Sequence, residues 1–378
     1  MEIALDLKFW DMANNSRCLI RRLRRTILCA AVLFCADPLC RSQTNPELLR
    51  FFDRNIGLSA DQITLIRNGS AVSKALPSRS PGEIFLFGAV HVDAAPENYL
   101  QAARDFNRRR TLSSHLGLGV VNSPPISSDF VGFSFDHDEI ADLRRCKPGN
   151  CQIQLPGELM GRFQEAIDWS ASDVDEQANR LVQKEALQFL LAYQREGNSA
   201  LGTYNDKRNA TEVSKQFGYL LSYYEAFPNP LPDFFRYLLA YPQEKPANAE
   251  DIFYWSKVKF GLKPTLRIVH LVTISDQTDA GPVWATAEKQ LYSSHYFQTA
   301  LDLTFCIPDS NNEAKRRGFY LIKVMGSEQA GLTGFKGSIV RNVAVGRSVS
   351  SLQKSLTAIK SSLEGHEEKP GVHESPPQ

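Results

Sequence analysis

Two stretches of this chain concentrate side chains able to do chemistry. Asp136-His-Asp-Glu139 is the densest group of metal-type ligands, and carboxylates beside one imidazole suit a hard or borderline cation. Adjacent residues diverge in direction, however, and on a strand alternate residues face opposite sides, so at most two of the four converge without a sharp turn. The expectation is a solvated loop and no metal site. The second stretch is Lys289-Gln-Leu-Tyr-Ser-Ser-His-Tyr-Phe297, where His295 stands among Tyr292, Ser293, Ser294 and Tyr296 in an aromatic run. Serine beside histidine raises nucleophilic catalysis, which also needs an orienting third group and oxyanion donors. The sequence identifies neither, so no catalytic residue is assigned.

Aromatic residues with a polar handle suit the wall of a ligand cavity. On that ground His295, Tyr292 and Tyr296, together with Tyr254 and Trp255 in Asp251-Ile-Phe-Tyr-Trp-Ser-Lys257, are the expected ligand-binding residues. His91 alternates with Val90 and Val92 and reads as a structural histidine. Gly117-Leu-Gly119 lacks the third glycine and the helix of a phosphate-binding loop, and no cofactor is expected.

Of the seven cysteines, Cys146 and Cys151 flank Lys-Pro-Gly-Asn, a turn-forming spacing at which facing positions meet, and a local disulfide is expected. No second Cys or His pair follows at zinc-site spacing. Seven of the 43 basic and four of the 42 acidic residues lie before residue 43, so the rest of the chain is slightly acidic, with no electrostatic footprint for nucleic acid. That basic cluster, Arg21-Arg22-Leu23-Arg24-Arg25, runs into an apolar stretch from Thr26 to Ala36, too short for an ordinary membrane span and right for a signal-peptide core. Residues 1–43 are therefore expected to be a leader and signal peptide, with a periplasmic or secreted product; the alternative is an N-terminal membrane anchor.

The elements that would position these residues follow from periodicity. Glu83 to Val92 reads as a strand, and Asp93-Ala-Ala-Pro-Glu97 opens a helix. Phe130 to Phe135 and Cys151 to Leu155 read as strands of a hairpin. Residues 156–263 follow helical spacing throughout and are expected to be an all-helical insertion, cut by Pro228, Pro230, Pro232, Pro242 and Pro246. Strands are expected again at 266–274, 283–292, 300–307 and 318–325, and their short connections favour antiparallel neighbours. Val349, Leu352, Leu356, Ile359 and Leu363 then mark one face of a long helix, and 365–378 is a polar tail expected to be disordered.

This order of strand, helix, antiparallel strands and closing helix resembles the helix-grip fold of the START and Bet v 1-like (SRPBCC) superfamily. Ile84 to Val92 with Ala94-Ala-Pro-Glu97, Phe319-Tyr-Leu-Ile-Lys-Val324 and the helix ending at Leu363 carry the resemblance. It covers about 70–155 and 264–364. It implies an α+β domain, built from 44–155 and 264–364, whose antiparallel sheet wraps the C-terminal helix around an apolar ligand. The expected function is an exported bacterial protein binding an apolar small molecule or lipid between sheet and helix. Two alternatives stand beside it: a scaffold module contacting a membrane surface or envelope protein through the helical insertion, and a cavity enzyme using acid-base chemistry.

Overall fold

The computed structural model describes residues 46–224, 231–260, 263–278, 281–309, 318–332 and 334–365. The expected leader at 1–43 and nearly all of the expected tail lie outside the described residues. The chain runs through α1 (Pro46–Arg50), a π-turn (Phe51–Asn55), α2 (Ala60–Arg67), β1 (Val72–Leu76), β2 (Glu83–Val92), α3 (Glu97–Arg104), α4 (Phe106–Arg110) and β3 (His115–Val121). Then come α5 (His137–Leu143), α6 (Gly157–Ala166), α7 (Val174–Glu196), the short pair β4 (Thr203–Tyr204) and β5 (Thr211–Glu212), α8 (Val213–Tyr224) and α9 (Pro232–Ala240). The chain continues with β6 (Ala249–Phe260), β7 (Lys263–Thr278), β8 (Gly281–Ser293), β9 (Phe297–Pro308), β10 (Phe319–Gln329) and α10 (Gly334–Leu363).

Eight strands form one antiparallel sheet in the order β1-β2-β10-β9-β8-β7-β6-β3. The fold is therefore α+β, with a large antiparallel sheet and a C-terminal helix. β2 shows why the sheet sits where it does: every one of its residues is buried. Phe85, Phe87 and Ala89 enter one apolar cluster, while Ile84, Leu86, Val90 and Val92 enter another on the opposite side. Alternation sends successive side chains to opposite faces, so a strand apolar at every position needs cover on both.

Helices supply that cover. On the first face α3 lies against β8, α4 against β3, and α10 runs along β2 and β1. Leu352 and Leu356 of the α10 stripe are buried, with Val349, Ile359 and Leu363 partly so. They reach the strand because Gly88 has no side chain: a Cβ there would stand 2.6 Å from Leu356 Cδ1. On the second face the helices from α5 to α9 share one continuous core with the strands. The expected helical insertion is thus no separate domain, since all the described residues belong to one compact unit.

Three expected elements differ. Residues 249–260 form β6, not helix. Phe253, Trp255 and Lys257 point to the second face and Tyr254 to the first, and burial on both faces removed the polar alternation that would have marked a strand. Residues 130–135 and 151–155 are not hairpin strands: Ser127–Phe130 is a 3-10 turn, and beside the cysteines only the bridge between Lys147 and Asn150 pairs. Asp136 to Glu139 is not a loop but the capped start of α5: Asp136, His137 and Asp138 are exposed, while Glu139 is buried with its carboxylate accepting from Asp136 N at 2.9 Å.

Leu356 is fully buried under α10, so Leu356→Ala is expected to cost about 2–5 kcal/mol in a urea unfolding series. Exposed Lys354 on the same helix, changed to Ala, should shift it by no more than about 0.5 kcal/mol.

Candidate functional site

On the second face, α6 and α7 lie over β7 and β8 and enclose an apolar cavity of about 320 Å³. Phe135, Phe163, Phe189, Ile268, Leu291 and Tyr292 form much of its wall. The space follows from side-chain size. The face that α7 turns inward reads Ala178, Val182, Ala186, Leu190 and Tyr193. Ala186 and Ala192 line the cavity where a longer side chain would fill it. Arg162 and Glu185, paired at 2.7 Å, stand at its rim with Arg162 half exposed.

Inside, one polar atom has no partner. The Tyr292 hydroxyl is buried without a hydrogen bond, and burial pushes its pKa well up, with Tyr204, Glu139 and Asp206 adding to the effect. A buried hydroxyl left unsatisfied costs on the order of 1–3 kcal/mol. Its neighbour Tyr204, whose ring centre lies 6.3 Å away, is satisfied: its oxygen accepts from Ser293 N at 3.2 Å.

The Tyr292 end of the site is crowded with charge. His295 Nε2 meets Glu139 Oε1 at 3.0 Å and its Nδ1 meets the Gln152 carbonyl at 3.1 Å. The imidazole is thus held from both sides, by a carboxylate and by a backbone carbonyl. Lys257 Nζ completes the group, 3.4 Å from Glu139 and 2.6 Å from Asp136. Both carboxylates are thus engaged within the protein, which leaves this cluster structural. Among the described residues no group of three or more His, Cys, Asp or Glu could hold a metal ion. Cys146 and Cys151 are joined by a disulfide with their Cα atoms 4.4 Å apart, and the Gln152 carbonyl that holds His295 follows directly.

A second polar chain borders the opposite wall. His270 Nε2 donates to Asp251 Oδ1 at 2.7 Å, so its Nδ1 accepts from the Tyr193 hydroxyl at 3.2 Å; Lys289 Nζ donates to that same hydroxyl oxygen at 3.1 Å and also to Asn198 Oδ1. Tyr237 donates to Asp251 at 2.8 Å and Lys245 pairs with it at 2.6 Å. Burial would raise the Asp251 carboxyl, but His270, Lys245 and Tyr237 together outweigh it and the group is held at about 2. Burial dominates at His270 and lowers its pKa, and it holds Lys289 well below the usual range for an amine.

The five expected ligand residues do not converge. Tyr292 lines the cavity, and His295 is buried beside it, spent on Glu139 and Gln152. The Tyr296 hydroxyl accepts from Lys263 N at 2.9 Å, away from the cavity wall. Trp255 is clamped by backbone: a Cβ on Gly119 would lie 2.3 Å from its Nε1, one on Gly132 2.7 Å from its ring, and Nε1 donates to the Asp129 carbonyl at 2.8 Å. Tyr254 faces the other side of the sheet, beneath α4, where Arg109 pairs with Glu288 at 2.7 Å. Burial favours the neutral Glu288 carboxyl, yet Arg109 and then Lys323 hold it at about 2. The first face thus carries a charged patch beneath α4 beside its apolar clusters, and the apolar cavity lies on the face away from α10 rather than beneath it.

No protein-family model matches the chain, and no curated protein matches it. No helix among the described residues is long and apolar enough to cross a membrane. Lys289, His270 and Tyr193 escaped the sequence reading because their partners are distant in the chain. The available signal was Lys289 itself, a charge between Ala287 and Leu291 at an inward position of an apolar strand.

His270 is buried with its pKa lowered, faced by Asp251, Tyr193 and Tyr241 and, further off, by Lys289 and Lys245. The unfolded chain binds its proton first, so the contribution of this group to stability is complete above pH ~6.5 and is lost as pH falls toward the depressed folded value. Urea midpoints measured from pH 7.5 to 5 should fall for the native chain and fall less steeply for His270→Gln.

Proposed function

We propose that this protein is an exported binding protein for an apolar small molecule or lipid, held between α6–α7 and strands β7–β8. The observation that carries this reading is the apolar cavity with one buried, unpartnered phenol in its wall, Tyr292. Ligand sites are concave and apolar with a few polar groups that fix orientation, and an unsatisfied donor in such a wall is a position for a ligand oxygen. Export accords with the Cys146–Cys151 disulfide, since such bonds persist in oxidising compartments. The frame is read as helix-grip-like. In its support, two short helices separate β2 from β3, β10 returns beside β2, and α10 lies back along β2. In this reading the helices from α6 to α9 add a ligand chamber to the outer side of the sheet.

The test is purification without detergent followed by mass spectrometry of an organic extract, with Nile red displacement for added ligands. Ala186→Phe, which fills the cavity, is expected to abolish binding in a folded protein. Tyr292→Phe removes one hydrogen bond, worth about 0.5–1.5 kcal/mol, and should weaken binding roughly threefold to tenfold. A protein that yields no co-purifying compound and binds no apolar ligand at micromolar concentration overturns the proposal.

A further inference from the structure

The cavity carries an electrical asymmetry that bears on which apolar molecule it takes. At the Tyr292 end, Glu139 and Asp206 lie within electrostatic reach of the hydroxyl. At the other end, Lys289 is 1% exposed, and among the described residues no carboxylate lies within ion-pair distance of its Nζ. Its neighbours are all neutral: the Tyr193 hydroxyl, the Asn198 amide oxygen, the Phe217 ring with its centre 3.8 Å from Nζ, and the Tyr193 ring at 5.0 Å. Asp251, the nearest acid along the hydrogen-bond chain, is already engaged by His270, Tyr237 and Lys245. A buried amine without a counter-ion is costly, and structures seldom keep one unless something pairs with it.

Lys289 also lies close behind the cavity wall. On β8 it is two residues from Leu291, which lines the cavity; on β7 its relay partner His270 is two residues from Ile268, which lines it too. On α7, Tyr193 follows the lining residue Ala192 and is one turn on from Phe189. Asn198, which holds Nζ, precedes the lining residues Ala200 and Leu201 in the same 3-10 turn. Four elements thus bring the amine close to one end of the apolar space, with the Asn198 amide oxygen accepting from its Nζ.

We propose that the natural ligand is an apolar monocarboxylic acid, of the fatty-acid class, whose carboxylate takes the place of the Asn198 amide oxygen on Lys289 Nζ. This rests on the cavity being the binding site. The chain of the acid then runs over Leu291, Ile268 and Phe189 toward Tyr292, whose hydroxyl takes an oxygen carried on that chain, and Glu139 and Asp206 at that end, already paired with Lys257, His295 and Lys207, leave no free cation for a reversed carboxylate among the described residues. Pairing also lifts the amine back toward its ordinary protonation, so the acid binds together with a proton, which the Tyr193–His270–Asp251 chain connects to the partly exposed Lys245.

The experiment compares decanoate with decanol by calorimetry at pH 8 in two buffers of different ionisation enthalpy, using the folded chain. Decanoate should bind at least tenfold more tightly than decanol and take up close to one proton, while decanol takes up none. In Lys289→Met the preference should vanish with decanol binding retained, and in Asn198→Ala, which removes the competing amide, decanoate binding alone should tighten. Equal affinities in the native chain, or uptake of no proton with decanoate, overturn the acid and leave the cavity standing. Failure of both ligands, with Nile red also unbound, overturns the cavity itself. Because the native ratio decides alone, the result holds even where Lys289→Met does not fold.

Discussion

A central strand such as β2, apolar at every position, cannot leave either face of its sheet to water. That single constraint governs the molecule. It requires α10 with α3 on one side and the helices from α5 to α9 on the other, and it makes what looks like an insertion into a wall of the main core. It also distributes chemistry. Polar side chains on a doubly covered sheet cannot reach solvent by default, so the charged ones are given partners: Glu288 has Arg109, Glu139 has His295 and Lys257, and Asp251 has His270.

The two covers differ in kind. Beneath α3 and α4 the sheet is packed by apolar side chains around the paired charges of Arg109 and Glu288. Beneath α6 and α7 the wall is aromatic and aliphatic, and small residues on α7 leave it incompletely filled. Charged groups border that space as well, with Lys289 held by Tyr193 and Asn198 on one side and Glu139 by Lys257 and His295 on the other.

Much of the frame was legible from sequence. The strands from β7 to β10 and the stripe on α10 show the periods that packing against one layer requires, and the short links between those strands imply antiparallel pairing. What was not legible shares a cause. β6 is buried on both faces, so Phe253, Tyr254 and Trp255 lost the alternation that distinguishes a strand from a buried helix. Glu139 looked solvated, as its neighbours Asp136 to Asp138 are, because its partners, Lys257 and His295, lie more than a hundred residues away. Of the site, Tyr292 lines the cavity and was singled out because aromatic hydroxyls in apolar strands are conspicuous, while Tyr254 and Trp255, equally conspicuous, are engaged by Arg109 with Glu288 and packed on Gly119 and Gly132 respectively.

The pairing of β2 with β10 has a temporal side. Val92 sits opposite Phe319, so the first long strand waits for almost the last before its open edge is closed. Loop closure over so much chain is slow. Until β10 emerges, Ile84 to Val92 is paired on one edge with the short β1 and leaves its other edge open, of the kind that seeks other edges. Synthesis of the whole chain therefore precedes completion of the sheet, and during that interval the segment depends on being kept apart from copies of itself.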